Sequence, residues 1–93
     1  DYKACLTFNI KFSPCFFSLS RLYGLRNRFE TGLKMINLAI KYDNRAEHYV
    51  QKAKLYLGLD NITKAKENVT KALTIDSNCV PAIQLKTFLF PKS

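Results

Sequence analysis

The stretch that decides the fold is AEHYVQKAKLYLGLDNITKAKENVTKALTIDSNC, residues 46–79. Its first part carries apolar side chains at the three- and four-residue spacing of one helix face, and its second part does the same. Between the two parts lie Gly58 and the polar pair Asp60-Asn61, a composition typical of a turn. The stretch therefore predicts two helices joined by a short turn, which is a helical hairpin.

Small residues occupy the positions where the two predicted helices would approach most closely. Ala53 lies in the first helix between Tyr49 and Tyr56, and Ala65 lies in the second. Two antiparallel helices approach closely only where side chains are small, and large side chains fill the space beside the contact. One hairpin cannot bury its own apolar stripe, so we expect such units to stack on neighbours.

The preceding residues repeat this pattern at a constant separation along the chain, with large residues matching large ones and small residues matching small ones. The matching pairs are Phe16 and Tyr49, Ser20 and Ala53, Tyr23 and Tyr56, Phe29 and Ile62, Gly32 and Ala65, Ile36 and Val69, Ala39 and Ala72, and Ile40 and Leu73. A third unit would begin at Val80, where Pro81 stands as Pro14 does in the first unit. We therefore predict an all-α fold of about five helices, stacked as a short α-solenoid of helical hairpins.

The start and stop signals set the predicted helix bounds. Ser13 before Pro14 predicts the N-cap of the first helix. Asn44 with Glu47 predicts a capping box at the third helix. The second and fourth helices are expected over 28–42 and 62–75, and the fifth from Pro81 to Phe90. The predicted domain covers 13–90, divided into units 13–45, 46–79 and a partial 80–90, with 91–93 as a tail.

Residues 1–12 follow a different pattern, with apolar side chains at alternate positions from Tyr2 to Phe12. Period two indicates a strand, but a lone strand beside helices has no partner. Three interpretations stay open: the remnant of a preceding helix, a strand or extended arm, and a disordered segment. The chain begins at Asp1 rather than at a methionine, so we expect either a processed protein or a fragment of a longer one, and the interrupted pattern at its ends favours a fragment.

The pattern of residues 46–79 resembles the tetratricopeptide repeat. Residues 13–45 are a weaker copy, and with the partial third unit the resemblance covers 13–90. Lys52, Val69 and Ser77 depart from the residues that the family prefers, which makes the repeat degenerate. The resemblance implies a non-catalytic interaction module, part of a scaffold or complex subunit, that binds a protein partner.

The resemblance also implies that the first helix of each unit lines a concave groove for a peptide or helix. The outward positions in those helices are Phe17, Arg21, Gly24, Glu47, Val50, Lys54, Leu57, Gln84 and Phe88. Val50 and Lys54 stand where the family's carboxylate clamp requires lysine and asparagine, so we do not expect binding of chaperone tails. Arg21 and Lys54 favour an acidic partner by charge, unless they are simply solvated surface residues.

The formal net charge of +8 suggests a second class of partner. The 15 basic residues are spread along the chain rather than clustered, which is typical of a solvated helix surface. An RNA-binding helical-repeat segment is the alternative hypothesis. It is less favoured because the matching groove residues Arg21 and Lys54 are both basic and do not select among bases.

Catalysis, metal binding and cofactor binding are not expected. His48 is the only histidine, and we predict that it is exposed in a first helical turn. Cys5, Cys15 and Cys79 are odd in number and widely spaced, which predicts idle thiols in a reducing compartment, the cytoplasm. The apolar stretch from Phe12 to Ser20 is far too short to cross a membrane.

The last predicted helix is expected to expose apolar side chains. Phe88 and Phe90 lie near its end, and no following segment of the sequence covers them. An uncovered apolar surface of this kind predicts contact with neighbouring repeats or self-association through this helix.

Overall fold

The computed structural model describes residues 12–90, with side chains from Cys15 onward, and this part of the chain folds into five α-helices. Their bounds are α1 Phe12–Leu25, α2 Phe29–Tyr42, α3 Ala46–Gly58, α4 Ile62–Ile75 and α5 Val80–Leu89. The predicted all-α fold of stacked helical hairpins is confirmed. The division into units stays a prediction. The expected arm at 1–12, apart from Phe12, and the tail at 91–93 lie outside the described residues.

The helices pack as two hairpins followed by a single helix. α1 packs against α2, and α3 packs against α4, while α2 contacts α3 and α4 contacts α5. α3 also contacts both α1 and α5. The helices α1, α3 and α5 therefore form one layer of the stack, and α2 and α4 form the other.

The turns inside the two hairpins have the same backbone geometry. Asn27 and Asp60 both have φ of 61°, in the left-handed region that non-glycine residues rarely adopt. Arg28, which follows Asn27, donates its backbone N–H to the carbonyl oxygen of Tyr23 at 2.8 Å. Asn61, which follows Asp60, donates in the same way to the carbonyl oxygen of Tyr56, also at 2.8 Å. This hydrogen bond spans six residues and is typical of a helix that ends at a residue in the left-handed conformation. The repeat seen in the sequence is thus visible in the turns as well as in the core.

The predicted contacts between small residues are confirmed. Ser20, Ala53 and Ala65 have no exposed surface. A Cβ atom placed on Gly32 would lie 3.2 Å from the carbonyl oxygen of Ser20, so α1 and α2 approach backbone to backbone there. Small side chains allow this separation, and any larger residue would push the helices apart.

Leu55 of α3 joins the first hairpin to the second. It is 2% exposed and belongs to a buried cluster with Phe16 and Ile36. Its Cδ2 atom lies 3.1 Å from the position of a Cβ on Gly24 and 3.0 Å from that of a Cβ on Gly32. The two glycines make room for the leucine, so three helices meet at this one side chain.

Lys52 is one of the three residues that depart from the family's preferred pattern, and its surroundings disfavour its charge. Partial burial lowers the pKa of the Lys52 ammonium, and the charges of Lys71 and Lys64 lower it further. The protonated form is therefore less favourable here than in the unfolded chain. The helical hairpin tolerates this residue at some cost in electrostatic free energy.

Several predicted helix ends are wrong by one or two residues. α1 begins at Phe12, so Ser13 lies inside its first turn and is not the N-cap. α3 has Arg45 as its N-cap without any side-chain cap, so the capping box expected from Asn44 and Glu47 does not form. The cause is local, since Arg45 adopts an extended conformation and its Nε pairs with the Asp43 carboxylate at 2.6 Å.

The cysteines differ from the prediction of idle thiols. Cys15 is disulfide-bonded, and its partner is not among the described residues. Cys79 is a buried free thiol, as expected. Because disulfides persist mainly in oxidising environments, the cysteine pattern does not support placing the protein in the cytoplasm.

Candidate binding groove

A groove of about 770 Å³ runs between α1 and α3 and ends at the first turn of α5. Its walls come from the outward faces of α1 and α3 and from the two segments that lead into α3 and α5. The lining residues are Phe17, Arg21, Asn44, Arg45, Ala46, Glu47, Val50, Gln51, Lys54, Ile75, Asp76, Asn78, Cys79, Val80 and Pro81.

The structure brings together most of the side chains that the sequence placed in a groove. Five of them line it, all from α1 and α3: Phe17, Arg21, Glu47, Val50 and Lys54. Leu57 is instead half-buried and packs against the cluster around Ala53 and Val69. Gln84 and Phe88 are exposed on α5 beyond the groove. Only the first turn of α5 reaches the groove, because the later turns run away from it.

The groove has an apolar floor. Val50 is 4% exposed and packs with Ala46 and Cys79, so it offers a small apolar surface rather than a free side chain. Phe17 is half-buried beside it on α1. Apolar side chains of a partner segment would lose water against this floor.

His48 packs against Phe17, one of the two residues of the groove floor. It is buried, so the prediction that it is exposed is wrong. The ring is 4% exposed and lies against the ring of Phe17, with centroids 5.3 Å apart. Its Nδ1–H donates to the carbonyl oxygen of Asp43 at 2.7 Å. A polar ring can be buried here because the backbone carbonyl before α3 satisfies it.

The rim of the groove carries unpaired positive charge. Neither Arg21 nor Lys54 forms an ion pair with a carboxylate in the part of the chain that the structure describes. Arg45 is already paired with Asp43. The acidic lining residues are Glu47 and Asp76, and Asp76 also accepts a hydrogen bond from the Asn78 backbone at 3.0 Å.

Two helix N-termini add to this positive potential. α3 and α5 both begin at the groove, and neither N-cap residue, Arg45 or Cys79, makes a side-chain capping hydrogen bond. The first N–H groups of a helix have no partner within the helix, and the aligned peptide dipoles make this end positive. These helix ends add positive potential beside Arg21 and Lys54, in a groove that is also lined by Glu47 and Asp76.

Gln51 is a groove residue that the sequence reasoning missed. It lies on the same face of α3 as Glu47 and Lys54, at helical spacing, and it is 9% exposed. Its Nε2 atom lies 3.8 Å from the position of a Cβ on Gly24. The three- and four-residue spacing from Glu47 through Gln51 to Lys54 was the signal that could have identified it.

Two negative findings concern metal ligands and membrane-spanning helices in the part of the chain that the structure describes. No three side chains of His, Cys, Asp or Glu lie close enough together there to hold a metal ion. Each helix from α1 to α5 is too short or too polar to cross a membrane.

Comparison with known proteins gives one match. Residues 46–79 match the family model of the tetratricopeptide repeat. No curated protein and no solved structure matches the chain. Repeats of this family generally serve as protein–protein interaction modules, typically without enzymatic activity. The matched residues are α3, α4 and the turns beside them, and the chain therefore contains a repeat of the tetratricopeptide family within a stack of helical hairpins.

Proposed function

We propose that the chain is an interaction module, part of a larger scaffold or complex subunit, that holds a segment of a partner protein in the groove between α1 and α3. The observation that carries this proposal is the groove itself. It joins an apolar floor at Phe17 and Val50 to unpaired cations at Arg21 and Lys54. Binding grooves commonly combine apolar surface with a few polar groups that fix orientation.

The proposed partner segment is acidic. Arg21 projects from α1 and Lys54 from α3, so cations stand on both walls. The positive ends of α3 and α5 lie at the same groove. Complementary charge speeds association and rejects partners of like charge, while the apolar floor supplies contact area.

The test is binding of short peptides of equal length but different net charge, measured by fluorescence anisotropy. We expect the acidic peptide to bind and the basic one not to bind. The double variant Arg21→Glu/Lys54→Glu should raise Kd about tenfold or more, because each lost attraction becomes a repulsion. The matched control is Lys34→Glu/Lys41→Glu, which makes the same charge change on the exposed face of α2 outside the groove.

If the two double variants raised Kd equally, the groove proposal would be contradicted. The weaker binding would then follow from the change in net charge and not from the position of the charges in the groove. The same measurement with random single-stranded RNA tests the alternative function. Binding of RNA that falls steeply with salt, and that both double variants weaken alike, would favour the RNA-binding segment instead.

We also propose that the exposed face of α5 packs against a second copy of the chain or a neighbouring repeat. Val80, Ile83 and Phe88 are exposed at helical spacing on this face, with Phe88 71% exposed. Ile83 stands one repeat unit after Tyr49, whose ring packs in the core of the second hairpin. An apolar position that is covered in α3 is therefore uncovered in α5.

Self-association through α5 is expected to appear in sedimentation equilibrium as a monomer–dimer equilibrium. The variant Ile83→Ser/Phe88→Ser should shift it to monomer, because it removes apolar area from the contact. Leu25→Ser is the control, since Leu25 is the most exposed large apolar residue outside α5. A monomer at every concentration would leave only the neighbouring repeat as the partner of this face.

A further inference from the structure

Three lysines of the second hairpin meet where α3 packs against α4, and together Lys52, Lys64 and Lys71 are called the lysine cluster. The ammonium of Lys71, on α4, lies 6.0 Å from the centroid of the Tyr49 ring on α3, so this side chain crosses to the neighbouring helix. Partial burial, and then the charges of Lys71 and Lys64, lower the pKa of the Lys52 ammonium. None of the three lysines lines the groove between α1 and α3, so the cluster is a separate basic surface.

The antiparallel pairing of α3 and α4 places Lys52 at the middle of the cluster. The contact between Tyr49 and Lys71 sets these two residues level across the hairpin. Lys52 follows Tyr49 by three residues on α3. Asn68 precedes Lys71 by the same number on α4. Because the two helices run in opposite directions, Lys52 lies level with Asn68, and Lys64 and Lys71 stand about one helical turn to either side.

The charge of the cluster is poorly neutralised. Neither Lys52 nor Lys71 forms an ion pair with a carboxylate within residues 12–90. Glu67, the acidic residue of α4, lies 3.7 Å from the Lys64 ammonium. Glu47, the acidic residue of α3, lines the groove instead. Like charges held close together disfavour each other's charged form, and a bound anion would relieve this repulsion.

A buried oxygen without a partner lies at the centre of the cluster. Asn68 is 3% exposed, and its Nδ2 donates to the carbonyl oxygen of Lys64 at 2.8 Å. Its Oδ1 accepts no hydrogen bond from any residue that the structure describes. Such an oxygen costs free energy until a donor reaches it. The Lys52 ammonium, level with it on the facing helix, carries three N–H donors, so it can donate one to Asn68 and keep two for an anion.

The spacing of the lysines selects the kind of anion. Lys64 and Lys71 are seven residues apart, which is about 10 Å along α4. One phosphate group is too small to contact both ends, whereas a ligand with several phosphate groups presents one to each lysine. The cluster spans only two helical turns, so a compact ligand fits it better than a nucleic acid, whose binding uses many phosphate contacts.

We propose that the lysine cluster binds a compact ligand that carries several phosphate groups, such as an inositol polyphosphate. Lys64 and Lys71 contact its two ends, and Lys52 contacts its middle. Asn68 acts as a positioning residue that orients the Lys52 ammonium. This site is distinct from the groove and goes beyond the proposed function.

The test is isothermal titration calorimetry at fixed ionic strength, with inositol hexakisphosphate and inorganic phosphate as probes. Inositol hexakisphosphate is expected to bind at least about tenfold more tightly than inorganic phosphate. The variant Lys64→Gln/Lys71→Gln should raise its Kd about tenfold. The matched control is Lys34→Gln/Lys41→Gln, which removes two charges at the same seven-residue spacing on the exposed face of α2 and should have a much smaller effect. Equal losses in the two variants, or no binding to the parent chain, overturn the proposal.

The single variant Lys52→Gln tests the middle of the site. It should raise the Kd for inositol hexakisphosphate, because one of the three contacts is lost. Without ligand, it should unfold at the same temperature as the parent chain or a higher one, because it removes a charge that its neighbours disfavour. Circular dichroism checks that it folds. An unchanged Kd in this folded variant overturns the assignment of Lys52 to the site.

A competition experiment separates this site from the groove. A saturating acidic peptide should leave the binding of inositol hexakisphosphate unchanged, because the two ligands occupy different surfaces. Displacement by the peptide would place the phosphate ligand in the groove, which overturns this inference and leaves the proposed function standing.

The same phosphate chemistry occurs in free inositol phosphates and in the headgroups of inositol lipids. Co-sedimentation with phosphatidylcholine vesicles that contain phosphatidylinositol bisphosphate distinguishes the two sources. Protein that sediments with the vesicles, and does so less in Lys64→Gln/Lys71→Gln than in the α2 control, supports a lipid headgroup as the ligand. Protein that stays in the supernatant but binds inositol hexakisphosphate supports the free ligand.

Discussion

Replacing Leu55 with alanine is expected to lower the free energy of unfolding by about 2–5 kcal/mol. Leu55 is almost completely buried and fills the space that Gly24 and Gly32 leave open. Those positions carry no side chains that could move into the cavity, so the loss should lie toward the upper part of this range. Urea denaturation followed by circular dichroism measures the change as a shift of the midpoint.

Leu59→Ala is the matched control, because it makes the same chemical change at a leucine that is exposed in the turn between α3 and α4. Its effect should stay within about 0.5 kcal/mol. Similar losses in the two variants would show that Leu55 is not the side chain that joins the hairpins.

Enlarging Ala53 to leucine is expected to destabilise the second hairpin by about 1–3 kcal/mol. Ala53, Ala65 and Val69 are fully buried in one cluster, so the added atoms have no space and must push α3 away from α4. Urea denaturation is again the measurement. The change should appear as a lower midpoint with a similar slope if the fold is retained.

The control for overpacking is Ser18→Leu, which adds a leucine to the exposed face of α1. It should have little effect on the midpoint. If Ala53→Leu were tolerated equally well, the contact of small residues between the two helices of the hairpin would not be a close one.

The helices and their pairing were predictable because their signals are local. The fourth helix spans 62–75 as expected, and the second begins at Phe29, one residue from its predicted start. The spacing of apolar residues defines such segments whatever they pack against. The stacking of the hairpins was predictable from the match between successive units, because repeated hairpins bury their apolar stripes against each other in the same way.

Leu55 and His48 were not predictable in the same way. The apolar stripe expected for α3 comprised Tyr49, Val50, Ala53, Tyr56 and Leu57, without Leu55. Leu55 lies off this stripe because α3 has a second buried face, created by the glycines of the preceding hairpin. His48 was expected to be exposed in a first helical turn, and its burial depends on tertiary contacts such as the hydrogen bond to the Asp43 carbonyl before α3.

The candidate site was predictable to the extent that it follows helix periodicity. Phe17, Arg21 and Lys54 line the groove as the resemblance implied, because they lie on the outward faces of α1 and α3. Gln84 and Phe88 do not, since the direction of α5 depends on its packing against α3 and α4 rather than on its own sequence. Gln51 also lines the groove, and its helical spacing with Glu47 and Lys54 is the signal in the sequence.

The contact of Leu55 with the two glycines bears on the thermodynamics of binding. The same side chain that fastens α3 to the first hairpin fixes the spacing of the two groove walls, since those walls belong to α1 and α3, two of the helices that meet at this contact. The groove is therefore preorganised. The proposed ligand would meet walls that are already ordered, and the conformational entropy lost on association would come mainly from the ligand chain.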